Sequence, residues 1–110
     1  MGNWDYQIKV GGYLDAFRAS GLDDTTDEGV DALRETASKV AEQVRKLPHW
    51  YNDAEYAALK PETNREERAE AFRPREIIRC LTEAETIRDF DWAYTQLRLW
   101  ADDKRILLGD

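Results

Sequence analysis

The sequence of 110 residues has few of the side chains that usually bind metals or act in catalysis. It contains one cysteine, Cys80, and one histidine, His49. A single cysteine rules out a disulfide within the chain and is typical of a reducing compartment, so we expect a cytoplasmic protein. The recurring zinc sites need more histidines and cysteines than this. We therefore expect no metal and no cofactor, and we interpret His49 as a boundary residue and Cys80 as a small buried hydrophobic side chain.

Motifs of the common enzyme classes are also missing. The only serines, Ser20 and Ser38, lie in no Gly-x-Ser-x-Gly motif. Gly11 and Gly12 are not followed by the Lys-Ser/Thr pair of a phosphate-binding loop. Adjacent carboxylates are frequent, but nothing in their spacing selects one pair for acid–base catalysis. The sequence therefore predicts a protein that is not an enzyme.

Long apolar runs and positive charge are scarce as well. No apolar stretch approaches the ~20 residues of a membrane-spanning helix, and the first residues do not have the pattern of a signal peptide. There are 16 basic and 23 acidic side chains, which gives a net charge of −7. This is the wrong sign for binding nucleic acid or an anionic membrane. We expect a soluble protein with no membrane contact, and nucleic acid is an unlikely partner.

What is present is enough apolar surface for one domain, 42% of the residues, and a strong helical pattern. The clearest element is a helix from Thr26 to Leu47, in which apolar residues recur every three or four positions. These are Val30, Leu33, Ala37, Val40, Ala41, Val44 and Leu47. Thr25 and Glu28 have the spacing of a capping box, and Pro48 ends the helix.

Three shorter helices are predicted next. The first is capped by Asn52 and spans Asp53–Leu59, the second is opened by Thr63 and ends near Arg73, and the third spans Arg75–Leu81. We separate the last two at Pro74, because the residue before a proline disfavours helical geometry. The residues of these two helices that we expect to point inward are Ala69, Phe72, Ile77, Ile78 and Leu81.

The last helix is predicted from Ile87 to Asp102, with Thr86 as its cap. One face carries Phe90, Ala93, Tyr94, Leu97, Trp100 and Ala101. Trp92 and Leu99, seven residues apart, lie on roughly the opposite side at 100° per residue. We favour coverage of both faces within the monomer; the alternative is a second apolar stripe that contacts a partner.

The N-terminus is ambiguous between strand and helix. Apolar residues alternate with polar ones over 4–10, at Trp4, Tyr6, Ile8 and Val10, which is the period of a half-buried strand. A lone strand leaves its hydrogen bonds unmet, and the only other strand-like segment is 104–108. A short helix from Tyr13 to Ser20, closed by Gly21, would follow. The fold class is therefore a single mainly α domain, 1–110, of five or six helices, with one small β pairing of the two ends as the alternative to an N-terminal helix.

Two charged features and one aromatic pair stand out as candidate binding sites. Five acids and no bases lie between Ala19 and Leu33, namely Asp23, Asp24, Asp27, Glu28 and Asp31. They are either a polar turn followed by carboxylates that offset a helix dipole, or an anionic patch that docks on a basic partner. Trp50 and Tyr51 are either packed under their loop or exposed as an anchor for a partner.

An arginine series runs through the middle of the chain, comprising Arg65, Arg68, Arg73, Arg75 and Arg79. Glutamates are interleaved with it, so we favour an ion-pair surface over a phosphate-binding stripe. The segments 75–81, 82–85, 87–102 and 104–108 also follow the order helix, turn, helix, strand of a winged helix. The second helix of this unit is rich in aspartate, which would repel phosphates.

Three functions remain open at this stage. The first is a small acidic protein-binding module, such as an inhibitor, immunity protein, adaptor or phage-type accessory factor, that occupies a partner's surface and masks a basic nucleic-acid-binding site. The second is a homo-oligomeric structural or assembly subunit that associates through Trp92 and Leu99. The third is a winged-helix-like regulator that binds nucleic acid. We favour the first, with partner-binding residues in the acidic cluster, at Trp50 and Tyr51, and at Trp92 and Leu99.

Overall fold

A computed structural model of the chain describes residues 4–109. In chain order its elements are β1 (Tyr6–Lys9), α1 (Gly11–Ala19), α2 (Asp27–Arg45), α3 (Asp53–Ala57), α4 (Arg65–Glu83), α5 (Ile87–Asp103) and β2 (Ile106–Gly109). The mainly α fold class is confirmed, with five helices and one two-stranded sheet. No helix within this described part is long and apolar enough to cross a membrane.

The two ends of the chain pair as parallel strands, as one of the two sequence alternatives predicted. Tyr6 lies opposite Ile106 and Lys9 opposite Gly109. Parallel strands need a long crossover, and here the five helices form that crossover. The predicted segment 104–108 begins the strand too early, because Arg105 adopts a positive φ of 60° and turns the chain just before Ile106.

Burial along the first strand departs from the simple alternation. Ile8 and Val10 are buried as expected, whereas Trp4 and Tyr6 are 43% and 42% exposed. α1 begins at Gly11, two residues before the predicted start. It ends at Ala19, one residue before the predicted Ser20, and Gly21 has the positive φ of 74° that favours glycine after a helix.

α2 is the helix that the apolar spacing predicted, but its cap is one residue further on. The side chain of Thr26 accepts the Gly29 N–H at 3.0 Å. Thr25 bonds instead to Asp23 in the preceding turn, so the capping box of Thr25 and Glu28 is wrong. Thr26 has the extended backbone of a cap residue. The third residue of α2 is Gly29, which has no side chain that could accept the Thr26 N–H, so no capping box forms.

α4 is one continuous helix where the sequence predicted two. Pro74 removes one backbone donor, and its ring is fully buried in the core. Because the helical phase continues through the proline, one inward stripe runs along the whole helix. It consists of Ala71, Pro74, Ile77, Ile78 and Leu81. The same phase places Ala69 and Phe72 outside, so their predicted inward positions are wrong; Phe72 is 49% exposed. The predicted cap Thr63 is replaced by Asn64.

α5 packs antiparallel to α4 and lies at the outside of the molecule. Its predicted cap is confirmed, since Thr86 accepts the Asp89 N–H at 3.1 Å. Five of the six residues predicted on its inner face are buried, namely Phe90, Ala93, Leu97, Trp100 and Ala101, and the sixth, Tyr94, is half-buried. Trp92 and Leu99 on the outer face of α5 are both more than half exposed, so no element among residues 4–109 covers them. The expected two-sided burial within the monomer is wrong.

Candidate functional site

The acidic cluster lies at one end of the molecule, where two distant segments meet. We call this end, residues 22–34 and 85–89, the acidic end. Asp24 accepts the Ile87 N–H at 2.6 Å, which joins the α1–α2 loop to the first turn of α5. Arg34 and Glu85 form a second link at 2.6 Å. The fold therefore adds Glu85 to the cluster found in the sequence, a grouping that sequence spacing alone did not reveal. Asp89, on the first turns of α5, lines a separate cavity beside Cys80 and Trp92.

Charge at the acidic end is strongly unbalanced. Its two segments carry seven carboxylates against two arginines, Arg34 and Arg88. Asp27, Glu28 and Asp31 are exposed, and none forms an ion pair with a residue in the range 4–109. Hydrogen bonds from the Thr25 side chain and backbone hold the pKa of the exposed Asp23 below its usual value, which keeps this carboxylate ionised. The end is a solvated anionic surface.

Asp24 differs from the other acids because it is half-buried and has a structural contact. Its carboxylate satisfies a backbone N–H in the first turn of α5, where no intrahelical acceptor exists. We expect Asp24→Ala to lower the free energy of unfolding by about 1–2 kcal/mol. Asp23→Ala is the matched control, since that carboxylate bonds only within its own turn, and its loss should be clearly smaller. Urea unfolding measures both; equal losses would contradict the structural role of Asp24.

Trp50 and Tyr51 are half-buried under their loop rather than exposed. The Trp50 ring packs against the core, with the guanidinium carbons of Arg45 and Arg75 at 5.6 and 5.8 Å from its centroid. The Tyr51 hydroxyl donates to Glu67 at 2.6 Å, and this bond raises the pKa of Tyr51. Core packing therefore describes Trp50, whereas Tyr51 is held at the surface by its hydrogen bond to Glu67.

A cleft with a volume of about 520 Å³ opens beside Trp50. Its arginines are already engaged within the protein. Arg75 donates to the Tyr51 carbonyl at 2.8 Å and to Asp53 at 2.6 Å, and Arg79 bonds to Glu76 and Glu83. This pairing agrees with an ion-pair surface rather than a phosphate-binding stripe.

Two further arginines of the series are engaged in the same way. Arg68 donates to the Leu59 carbonyl at 2.7 Å, and Arg73 pairs with Asp103 at 3.5 Å. The C-terminal strand lies beside β1 and forms no hairpin, so the described residues contain no wing.

His49 is half-buried between two aromatic rings. The Tyr6 and Trp100 centroids lie 4.9 and 5.7 Å from its own, both edge-on. Burial first, and then repulsion by Lys104, lower the pKa of His49. Asp53, four residues on, pairs with Arg75 instead. Residues 4–109 contain no group of three or more side chains that could hold a metal ion.

Because the pKa of His49 is lowered in the folded protein, we expect the free energy of unfolding to fall as the pH drops below the ordinary histidine pKa of 6.5. The unfolded chain takes up its proton there, while the folded protein resists it until a lower pH, so protonation favours unfolding in that window. His49→Gln removes this component, so the free energy of unfolding should change less with pH between pH 7.5 and the lowered pKa of His49. Urea unfolding of both proteins at several pH values is the measurement. Parallel curves would show that His49 does not contribute.

The outer face of α5 carries the most exposed large apolar side chains described. Trp92 is 59% exposed and Leu99 is 54% exposed. Cys80 is free and half-buried beside Trp92, where both line a shallow cavity of about 260 Å³. The sequence identified this pair as a second stripe, and the structure leaves it uncovered.

Comparison with known proteins adds no relative from which a role could be transferred. No protein family, no curated protein and no solved structure matches this chain.

Proposed function

We propose that the protein is a small protein-binding module whose acidic end occupies a basic surface of a partner protein. The observation that carries this proposal is the convergence of carboxylates from the α1–α2 loop, the first turns of α2 and the turn between α4 and α5 on one end of the molecule. The contact between Asp24 and Ile87 holds these segments together, so the surface is formed before a partner arrives. A preformed surface loses little conformational freedom on binding.

A partner with a basic nucleic-acid-binding groove fits this surface best. Such a groove presents several arginines or lysines close together, and the acidic end supplies carboxylates with a similar density. Attraction between them acts over about a Debye length, roughly 8 Å at physiological salt, and raises the association rate more than the final affinity. The protein would then act as an inhibitor or an immunity-type factor by blocking access to the groove.

The test compares two variants of equal charge. One replaces acids of the acidic end, Asp27→Asn, Glu28→Gln and Asp31→Asn; the other replaces exposed acids near the opposite end of α4 and α5, Glu62→Gln, Glu66→Gln and Asp102→Asn. Each removes three negative charges, and each includes acids near the start of a helix. Immobilised wild type and control should retain the same partner from a lysate, and the acidic-end variant should lose it.

The purified partner then allows the decisive measurement, its association rate with the wild type at two salt concentrations. We expect the rate to fall at least about tenfold between 50 and 300 mM salt, and to fall less for the acidic-end variant. Equal retention by the acidic-end variant, or a rate that does not change with salt, would overturn the proposal.

A further inference from the structure

The outer face of α5 has an internal symmetry that the acidic end does not share. Trp92 and Leu99 lie at equal distances along the helix from a point between Thr95 and Gln96. Arg88 and Asp103 lie at equal distances from the same point, further out. At 100° per residue these six residues form one continuous stripe along the helix, the α5 stripe: Arg88, Trp92, Thr95, Gln96, Leu99 and Asp103.

We infer that the α5 stripe binds a second copy of this chain in an antiparallel, two-fold symmetric pair. In such a pair, each residue contacts the residue at the equivalent distance on the other side of the centre, and the reverse contact forms at the same time. Trp92 of each copy then packs against Leu99 of the other. Both side chains are more than half exposed in the monomer, so both lose apolar surface to water on pairing.

Charge on the stripe is complementary under the same symmetry. Arg88 is exposed, has no ion-pair partner within residues 4–109, and would meet Asp103 of the second copy. Asp103 is 57% exposed and already lies 3.5 Å from Arg73 and 3.7 Å from Lys104, so Arg88 of the second copy would be a third cation near this carboxylate. Asp89 and Asp102 are also symmetric about the centre. They lie about 140° apart around the helix, on opposite flanks, and do not face each other across the pair.

A parallel pair would lack this complementarity, because Arg88 would contact Arg88 of the second copy and Trp92 would contact Trp92. The net charge of −7 on each copy opposes association, but salt screens it beyond about 8 Å. A single helix from each copy makes a small interface, so we expect a dissociation constant of about 10–100 µM. Arg88 belongs to both the acidic end and the α5 stripe, but Trp92 and Leu99 lie outside the acidic end. Substitutions at these two residues therefore test the pairing without changing the acidic end.

Sedimentation equilibrium from about 5 to 500 µM measures the dimer constant. Trp92→Ala with Leu99→Ala should weaken the wild-type dimer at least about tenfold. Arg88→Glu should weaken it about fivefold, since it places a negative charge opposite Asp103. Arg98→Glu is the matched control: it makes the same charge change on the same helix outside the stripe, and should change the constant less than about twofold.

Cysteine cross-linking tests the geometry of the pair, in a Cys80→Ala background that has no other thiol. Thr95→Cys should form a disulfide-linked dimer on mild oxidation, because position 95 lies next to the two-fold axis. Arg88→Cys should not, since the two copies of that position would be about 22 Å apart along the helices. A monomer at every concentration overturns the inference, as does a dimer that survives loss of Trp92 and Leu99 or that cross-links at position 88 but not at 95.

Discussion

Gly29→Ala is expected to lower the free energy of unfolding by about 3 kcal/mol. A Cβ atom at this position would lie 1.5 Å from the carbonyl oxygen of Asp23 and 2.6 Å from its carbonyl carbon. Both are backbone atoms, so no side-chain rotation can relieve the overlap. The α1–α2 loop would have to lift away from α2, and that movement would strain the contact between Asp24 and Ile87.

Gly12→Ala is the matched control for this prediction. Gly12 also lies within a helix, α1, and no atom lies within 4 Å of the place its Cβ would take. Alanine has the higher helix propensity and restricts the unfolded chain, so this change should raise stability by about 0.5–1 kcal/mol. Urea unfolding followed by tryptophan fluorescence measures both variants. If Gly29→Ala and Gly12→Ala shift stability equally, the loop does not rest on α2 as described.

The close approach at Gly29 also determines the shape of the acidic end. With the Asp23 backbone against α2, the exposed carboxylate of Asp23 and those of the first α2 turn lie on one surface. A variant that lifts the loop should therefore weaken partner binding without any change of charge. Weaker binding by such a variant would show that partner binding depends on the shape of the surface as well as on its net charge.

Sequence patterns predicted the long elements well because their signals are local. The apolar stripe of α2 and the cap at Thr86 depend on residues within one or two turns of each other, and both are found. The error at Pro74 arose from a local rule that burial overrides. A proline costs about 3 kcal/mol inside a helix, and here its ring contributes to the core stripe between Ala71 and Ile78.

The candidate surfaces were predicted less completely because they depend on contacts distant in sequence. Five acids of the acidic end lie close together in the chain, between Asp23 and Asp31, and the sequence identified them. Glu85 joins them only through two contacts distant in sequence, the hydrogen bond between Asp24 and Ile87 and the ion pair between Arg34 and Glu85. Periodicity likewise identified two apolar faces on α5, but it does not show which other elements pack against each face. Those elements decide whether Trp92 is covered.

The two tryptophans of α5 provide the sharpest test of which face is buried. Trp100 is 1% exposed and contacts the His49 ring edge-on, whereas Trp92 is 59% exposed. Trp100→Ala should lower the free energy of unfolding by about 4 kcal/mol, through lost apolar burial and the cavity left behind. Trp92→Ala should change it by less than about 0.5 kcal/mol when measured well below the dimer constant.

Trp100→Phe refines this comparison. The Trp100 Nε1 is buried and has no hydrogen-bond partner among residues 4–109, so the indole N–H already adds an unfavourable contribution to the folded state. Phenylalanine keeps most of the ring and removes that donor, so we expect a loss of only about 1 kcal/mol. Similar losses for Trp92→Ala and Trp100→Ala would mean that α5 presents a different face to the core. The α5 stripe would then not be available to a second copy, because the residues assigned to it would be the ones that hold the fold together.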